Sequence, residues 1–431
     1  MWMRCPDAGP LPTAADDRAD PTRSPTPPRH RTEEQYAAMR AGPSQDEIRR
    51  QNLGALLRYV HMHGATSRAE LTTALGLNRS TIGALTTDLA AAGLVSEGAP
   101  KETGRAGRPS LVVRPESARV HAYAYSIEVD RLRVARIGLG GGVLDRRELA
   151  RPRGITAADA APLLARAARE MQQPVSADGI CVGAGVAVCG LVRRDDGLVR
   201  LGPTMGWVDE PIGAAIGAEL GPDVPVVVGN VADVAAFAEH TRGAATGCDN
   251  LIYLYGDVGV GAGIITGGRR LTGHGGYGGE VGHMVVRRDG TRCECGSRGC
   301  WETEIGEHAL LRAAGRSDAQ GRDAVLAVFE AADRGDARAQ TAVRTAGDWL
   351  GFGVANLVNI FNPELVIFGG AMRDLYLAAA AQVRSRLNAS ALPACVEHVR
   401  LRTPKLGDDA ALIGAAELAF DRLLADPLDV S

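Results

Sequence analysis

The densest chemistry in the chain lies at Gly279-Glu280-Val281-Gly282-His283 and, a few residues on, at Cys293-Glu294-Cys295 and Cys300-Trp301-Glu302. One histidine followed by three cysteines supplies the nitrogen and sulfur donors of a tetrahedral zinc site, in a chain that carries no export signal and so keeps its thiols reduced. The interleaved glutamates put carboxylates beside the metal. Together these residues predict a polar ligand pocket built around a metal-fixed turn. The alternative is a loop of unmetallated thiols.

Composition bounds the elements that must position this cluster. A length of 431 residues predicts two or three domains. No run approaches the roughly 18–20 apolar residues of a membrane span. The Pro-rich start, dotted with Asp and Arg, lacks the layout of a signal peptide, which predicts a cytoplasmic protein. Of the eight cysteines, Cys181, Cys189, Cys248 and Cys395 lie in or beside apolar or small-residue stretches and read as packing thiols. Formal net charge is −3, yet residues 44–115 hold nine Lys/Arg against six Asp/Glu, a surplus of +3 that leaves −6 for the remainder. A DNA-binding module on an acidic body has this distribution.

Residues 1–43 hold eight prolines and almost no aliphatic cluster, which predicts a disordered tail, with Met39 as an alternative start. From residue 45 the pattern turns helical. Ile48, Leu53, Leu56, Leu57 and Val60 mark one amphipathic helix. Ser67-Arg68-Ala69-Glu70 is a capping box opening a second, which closes at Gly76, and Asn78 caps a third that runs to about residue 92. The last two have the dimensions of a helix-turn-helix. On the third helix Ile82, Leu85 and Leu89 face inward. Ser80, Gly83 and Thr87 form a small outer face that could approach a DNA groove, and Arg79 and Thr81 sit at its start, where bases or phosphates are met. Gly104-Arg105-Ala106-Gly107-Arg108-Pro109 reads as a hairpin wing with Arg105 and Arg108 at its tip. The alternative is a three-helix module that binds another protein.

Beyond residue 116 strands and helices alternate, an α/β pattern. Strands are expected at 122–127, 131–137, 141–144, 179–188, 224–228, 251–255, 261–265 and 365–368. Helices are expected at 159–171, 232–239, 324–357 (more than one), 375–389 and 410–424. Two α/β lobes around a cleft fit this length.

From residue 44 to 427 the chain resembles the ROK family (repressor, open reading frame, kinase). The run Gly279 to His283 followed by Cys293-x-Cys295-Gly296-x-x-Gly299-Cys300-x-Glu302 is similar to the family signature, and Gly206-Trp207, Asn362-Pro363-Glu364 and Ile413-Gly414-Ala415-Ala416 are weaker matches. The resemblance implies an actin-like, sugar-kinase (ribonuclease H-like) two-lobe fold at 116–427, preceded by a winged helix-turn-helix at 44–115. It implies His283, Cys293, Cys295 and Cys300 as ligands of a structural Zn2+ in the loop 283–300. It implies Asn230, Glu280, His283 and Glu302 as sugar contacts, with His283 turning one ring nitrogen to zinc and the other to a hydroxyl. The two glutamates have an alternative reading as carboxylates supporting the metal.

Two departures from the family's kinases bear on function. Those kinases follow the pocket asparagine with an aspartate that acts as general base, whereas Val231 follows Asn230 here, and general-base help is typically worth about 10²–10⁴-fold. Asp233 falls on the wrong side of a helix to substitute. The kinases' Asp-x-Gly-Gly-Thr phosphate turn is replaced by Ser126-Ile127-Glu128-Val129-Asp130, whose two carboxylates would repel a nucleotide. A second turn, Gly259-x-Gly261-x-Gly263, survives. The expectation is a non-enzymatic, sugar-responsive transcriptional regulator that binds operator DNA as a homodimer or homotetramer. The alternatives are an active ATP-dependent, glucokinase-like sugar kinase with an appended DNA module, and a repressor that ignores sugars or answers to a protein partner.

Overall fold

The computed structural model describes residues 44–99, 110–171 and 179–429. Two compact units divide the chain after Ile48, and of the first only residues 44–48 are described. The expected tail at 1–43 and the wing tip with Arg105 and Arg108 lie outside the described residues.

Helix α1 (Gln45–His63) buries Leu53, Leu56, Leu57 and Val60, the stripe their spacing dictates. Strand β1 (Thr66–Ser67) leads into α2 (Arg68–Leu75). The capping box there is complete: the Glu70 N–H donates to Ser67 Oγ at 3.2 Å, and the Ser67 N–H donates to the Glu70 carboxylate at 2.8 Å. Asn78 caps α3 (Arg79–Ala91) by accepting the Thr81 N–H at 2.8 Å. Strands β2 (Val95–Gly98) and β3 (Val112–Pro115) join β1 in an antiparallel sheet of order β1-β3-β2.

The first lobe is built on β4 (Val120–Ile127), β5 (Arg131–Gly138), β6 (Val143–Ala150), helix α4 (Ala157–Glu170) and β7 (Ile180–Val188). A small antiparallel sheet follows, made of β8 (Leu191–Val192), β9 (Val199–Gly202) and β10 (Trp207–Glu210), and then α5 (Ile212–Leu220) and β11 (Val226–Asn230). Helix α6 (Val231–Arg242) leads to the second lobe. That lobe contains β12 (Leu251–Gly256), β13 (Val260–Thr266), β14 (Arg269–Arg270), α7 (Glu302–Ile305), α8 (Glu307–Ala313), α9 (Arg322–Asp333), α10 (Ala337–Phe361), β15 (Leu365–Gly370), α11 (Ala371–Ser390), α12 (Pro393–Val396) and β16 (Arg400–Arg402). The expected helical stretch 324–357 is indeed two helices, the second capped where Asp336 accepts the Ala339 N–H at 2.7 Å. Helix α13 (Ala410–Ala425) returns to the first lobe, packing on β4 and β7. No helix among the described residues is long and apolar enough to cross a membrane.

The two main sheets repeat one topology. Their orders are β6-β5-β4-β7-β11 and β14-β13-β12-β15-β16. Counted from its own first strand, each reads 3-2-1-4-5, an antiparallel meander extended by two parallel strands. Helix α6 is buried between them. Ala235 and Ala236 pack with Tyr253, Ile265 and Ile367 of the second lobe, and Val234 and Ala238 share a core with Ala415 and Leu418 of α13. That second core also holds Leu53, Leu56, Leu57 and Val60, so the N-terminal helical module and the first lobe close over one apolar interior.

Candidate functional site

Strand β11 ends at Asn230, and the chain turns at once into α6. The Asn230 side-chain oxygen accepts the Ala232 N–H at 2.8 Å, and its Nδ2 donates to Gly190 O at 2.9 Å. Opposite, the chain from Gly279 to His283 runs against β13. A Cβ on Gly282 would lie 2.0 Å from Val260 O, so only glycine permits that approach. Val281–His283 is a single 3₁₀ turn, shorter than the helix that would ordinarily align residues three apart, yet it leaves His283 Nε2 3.9 Å from Glu280 Oε2. The other ring nitrogen, Nδ1, faces Cys293 Sγ at 3.7 Å and Glu302 Oε1 at 3.6 Å.

These side chains surround a cavity of about 430 Å³. Asn230, Val231, Glu280, His283 and Glu302 all line it. Burial raises the Glu280 carboxyl above its ordinary range; His283 offsets part of that and the nearby Glu302 adds to it. Asp233 is absent from the lining, and its carboxylate accepts from Arg270 at 2.9 Å. Sequence reasoning missed Asp257, which enters the cavity from the turn between β12 and β13. Its carboxyl is pushed up to about 6 by burial, then by Glu128, Asp130 and Glu307, with Arg131 opposing. Thr204, His308 and Arg312 also line the cavity without having been foreseen.

His283, Cys293, Cys295 and Cys300 offer four ligand atoms that all lie within 4.8 Å of one another. The Cys295–Cys300 Sγ separation is 3.7 Å. Zinc–sulfur bonds of about 2.3 Å at tetrahedral angles require sulfurs about 3.8 Å apart, so this donor set fits that ion. The cluster can therefore hold a metal. Glu302 accepts from Cys293 Sγ at 2.8 Å, which joins the cluster to the cavity wall. The backbone of 285–300 is held by isolated bridges, Val285 with Cys300 and Arg292 with Arg298, and Thr291, Arg292 and 294–298 are exposed.

The stretch 126–130 differs from its expected behaviour in one respect. Glu128 is buried and paired: Arg131 Nε donates to it at 2.5 Å, Ser126 Oγ at 3.1 Å, and Arg133 Nη1 lies 3.6 Å away. Arg133 also donates to Asp408 O at 2.6 Å and Asp409 Oδ1 at 2.7 Å, across to the segment preceding α13. The space left beside this knot is about 20 Å³, lined by Glu128, Arg131, Arg133, Tyr255, Arg322 and Asp408 among others. That is room for about one water. The paired arginines offset part of the charge that the carboxylates bring.

On α3, Arg79, Ser80 and Thr87 are exposed, while Thr81 and Gly83 are half-buried. Ser80 Oγ donates to Asn78 Oδ1 at 2.6 Å, and Thr87 Oγ1 donates to Gly83 O at 2.9 Å. A Cβ on Gly83 would lie 3.3 Å from Arg68 Nη1. Arg68 is a cation at this face that sequence reasoning passed over; it donates through Nε to Glu97 at 2.6 Å.

Residues 124–422 match the ROK family. The xylose repressor of Bacillus subtilis (strain 168) is 28% identical over 383 residues, covering 88% of this chain and 97% of the relative. A glucokinase of Halalkalibacterium halodurans is 32% identical over 251 residues, but that match spans 55% of this chain and 76% of the kinase. Among solved structures, a ROK family transcriptional regulator homologous to the Escherichia coli Mlc protein superposes with a TM-score of 0.73 at 26% identity, covering 88% of this chain and 98% of that one.

Proposed function

This chain belongs to the ROK family, and we propose that it is a sugar-responsive transcriptional repressor whose cleft binds a sugar without phosphorylating it. The observation that carries the reading is the contrast between two neighbouring spaces. About 430 Å³ stays open around Asn230, Glu280, His283 and Glu302, whereas about 20 Å³ remains beside Glu128, Arg131 and Arg133. A sugar has room in the first, and the second admits about one water and no phosphate group. Val231 offers no proton acceptor, and Asp233 is held by Arg270. The near-full-length likeness to a repressor supports the same reading over a kinase.

In the cleft, Glu280 and Glu302 accept hydroxyl protons, and Asn230 donates through the Nδ2 hydrogen left over from Gly190. His283 addresses the ligand through Nε2, beside Glu280, while Nδ1 turns to Cys293. A Zn2+ held by His283, Cys293, Cys295 and Cys300 would staple the loop 283–300 and fix the tautomer of that ring. In the N-terminal module, Arg79, Ser80, Thr81, Gly83 and Thr87 meet the major groove, with Arg105 and Arg108 reaching the backbone or minor groove from the wing. Two such modules in a homodimer read the two halves of an operator. Sugar and operator then oppose each other by one coupling free energy, equal in both directions.

The test uses full-length protein and a duplex that it selects from a random pool. Operator affinity is titrated without sugar and with D-glucose, D-xylose and N-acetyl-D-glucosamine in turn, and at least one sugar is expected to weaken it. Affinity unmoved by sugars that do bind overturns the reading, as does ATP-dependent formation of a sugar phosphate.

A further inference from the structure

Helix α6 has a different partner at each end. At its start, Asn230 serves as N-cap and lines the cavity together with Val231 and Ala232. At its finish, about 18 Å away at 1.5 Å rise per residue, stands Arg242. Its Nε donates to Glu417 Oε1 at 2.5 Å, and its Nη1 donates to His61 O at 2.8 Å and to Gly140 O at 3.0 Å. His61 belongs to α1 of the DNA-reading module, Gly140 to the turn between β5 and β6, and Glu417 to α13. The His61 ring is wholly buried, accepts the Gly140 N–H on Nδ1 at 2.9 Å, and lies 3.0 Å from Glu417 Oε2 through Nε2.

This junction leaves little slack. A Cβ on Gly54 of α1 would lie 2.7 Å from Leu424 O, so α1 and α13 touch backbone to backbone. Leu53, Leu56 and Leu57 share one core with Phe420, Leu423 and Leu424. Along its length α6 is clasped on both sides, by Tyr253 and Ile265 from one lobe and by Ala415 and Leu418 from α13. A close-packed helix held this way moves as a body.

We infer that α6 is the rod through which occupancy of the cleft reaches the DNA-reading module, with Asn230 at the receiving end and Arg242 as the positioning residue that grips α1. The inference rests on the proposed function for what each end binds, but the mechanical link is measurable with neither ligand present.

Amide hydrogen exchange on the full-length chain reads it. Asn230→Ala removes the cap that holds the start of α6, and residues 53–63 of α1 are expected to exchange about threefold or more faster. Thr156→Ala is the control: it removes an equivalent cap from α4, in the same lobe, whose main contacts are α5 and β5. It is expected to leave 53–63 unchanged. Asn230→Ser restores a capping oxygen and with it slow exchange in α1, an outcome that loss of packing alone would not give. Equal effects of the two alanine variants, or no effect of Asn230→Ala on 53–63, overturn the inference. In the opposite direction, Arg242→Lys keeps the charge but loses the fork of donors, and it is expected to speed exchange at Ala232 and Asp233. Unaltered exchange there also overturns the inference. Either failure leaves sugar and operator binding untouched, so the proposed function stands or falls separately.

Discussion

Asp257 offers a perturbation whose size and sign follow from its surroundings. Its carboxyl is pushed up to about 6 in the fold from an ordinary value of 3.8, because burial and the carboxylates of Glu128, Asp130 and Glu307 outweigh Arg131. A raised carboxyl contributes stability that is fully present below 3.8 and is lost as pH rises through 6. Relative to the unfolded chain, ionising it in the fold costs about 1.6 kcal/mol at pH 5 and about 3 kcal/mol at pH 8. Water in the cavity screens part of this, so roughly half is expected to survive. Asp257→Asn keeps the shape and removes the titration. The variant is expected to be more stable than the parent at both pH values, with the advantage growing by about 0.7 kcal/mol from pH 5 to pH 8. Urea denaturation of parent and variant at pH 5, 6.5 and 8 measures the gap. A gap that stays flat, or shrinks as pH rises, refutes the assignment of Asp257 as a carboxyl held up by burial and its acidic neighbours.

On the zinc site proposed above, chelation is expected to free the thiols of Cys293, Cys295 and Cys300; a thiol-reactive dye should register three more fast-reacting groups per chain after chelation than before it, and an unchanged count would show that these thiols hold no metal. Val231→Asp returns a proton acceptor to the cleft, worth about 10²–10⁴-fold in a working kinase, but is expected to give no turnover, because the space of about 20 Å³ beside Glu128, Arg131 and Arg133 is too small for a phosphate group; transfer of labelled phosphate from ATP to sugar would contradict this. Arg79→Ala is expected to weaken binding to all duplexes and to lower the slope of log affinity against log salt by about 1; a salt slope equal to the parent's would remove Arg79 from the phosphate contacts.

Local signals were legible in the sequence, and contacts between distant residues were not. The caps at Ser67 and Asn78 work through side chains within three residues of the N–H groups they satisfy, and so they could be read directly and sit where expected. The gathering of His283, Cys293, Cys295 and Cys300 was legible because cysteine spacing is itself the pattern. By contrast, β8, β9 and β10 run two to four residues each, too short to establish a period, and the small sheet between 191 and 210 went unread. The knot around Glu128 needed Asp408 and Asp409, and Arg133 gives no hint of them. His61 reads as an ordinary basic residue near a helix C-terminus, favourable to the dipole. Its partner Glu417 is 356 positions away, and nothing in either neighbourhood announces the other.

The interior shared by α1 and α13 has a consequence for how the molecule is made. Leu53, Leu56 and Leu57 are synthesised long before part of the surface that covers them, Phe420, Leu423 and Leu424 of α13. The apolar interior around α1 is thus completed only after α13 has been translated. A message cut short before α13 leaves exposed to water the part of that stripe that Phe420, Leu423 and Leu424 cover, a mark for a chaperone or a protease.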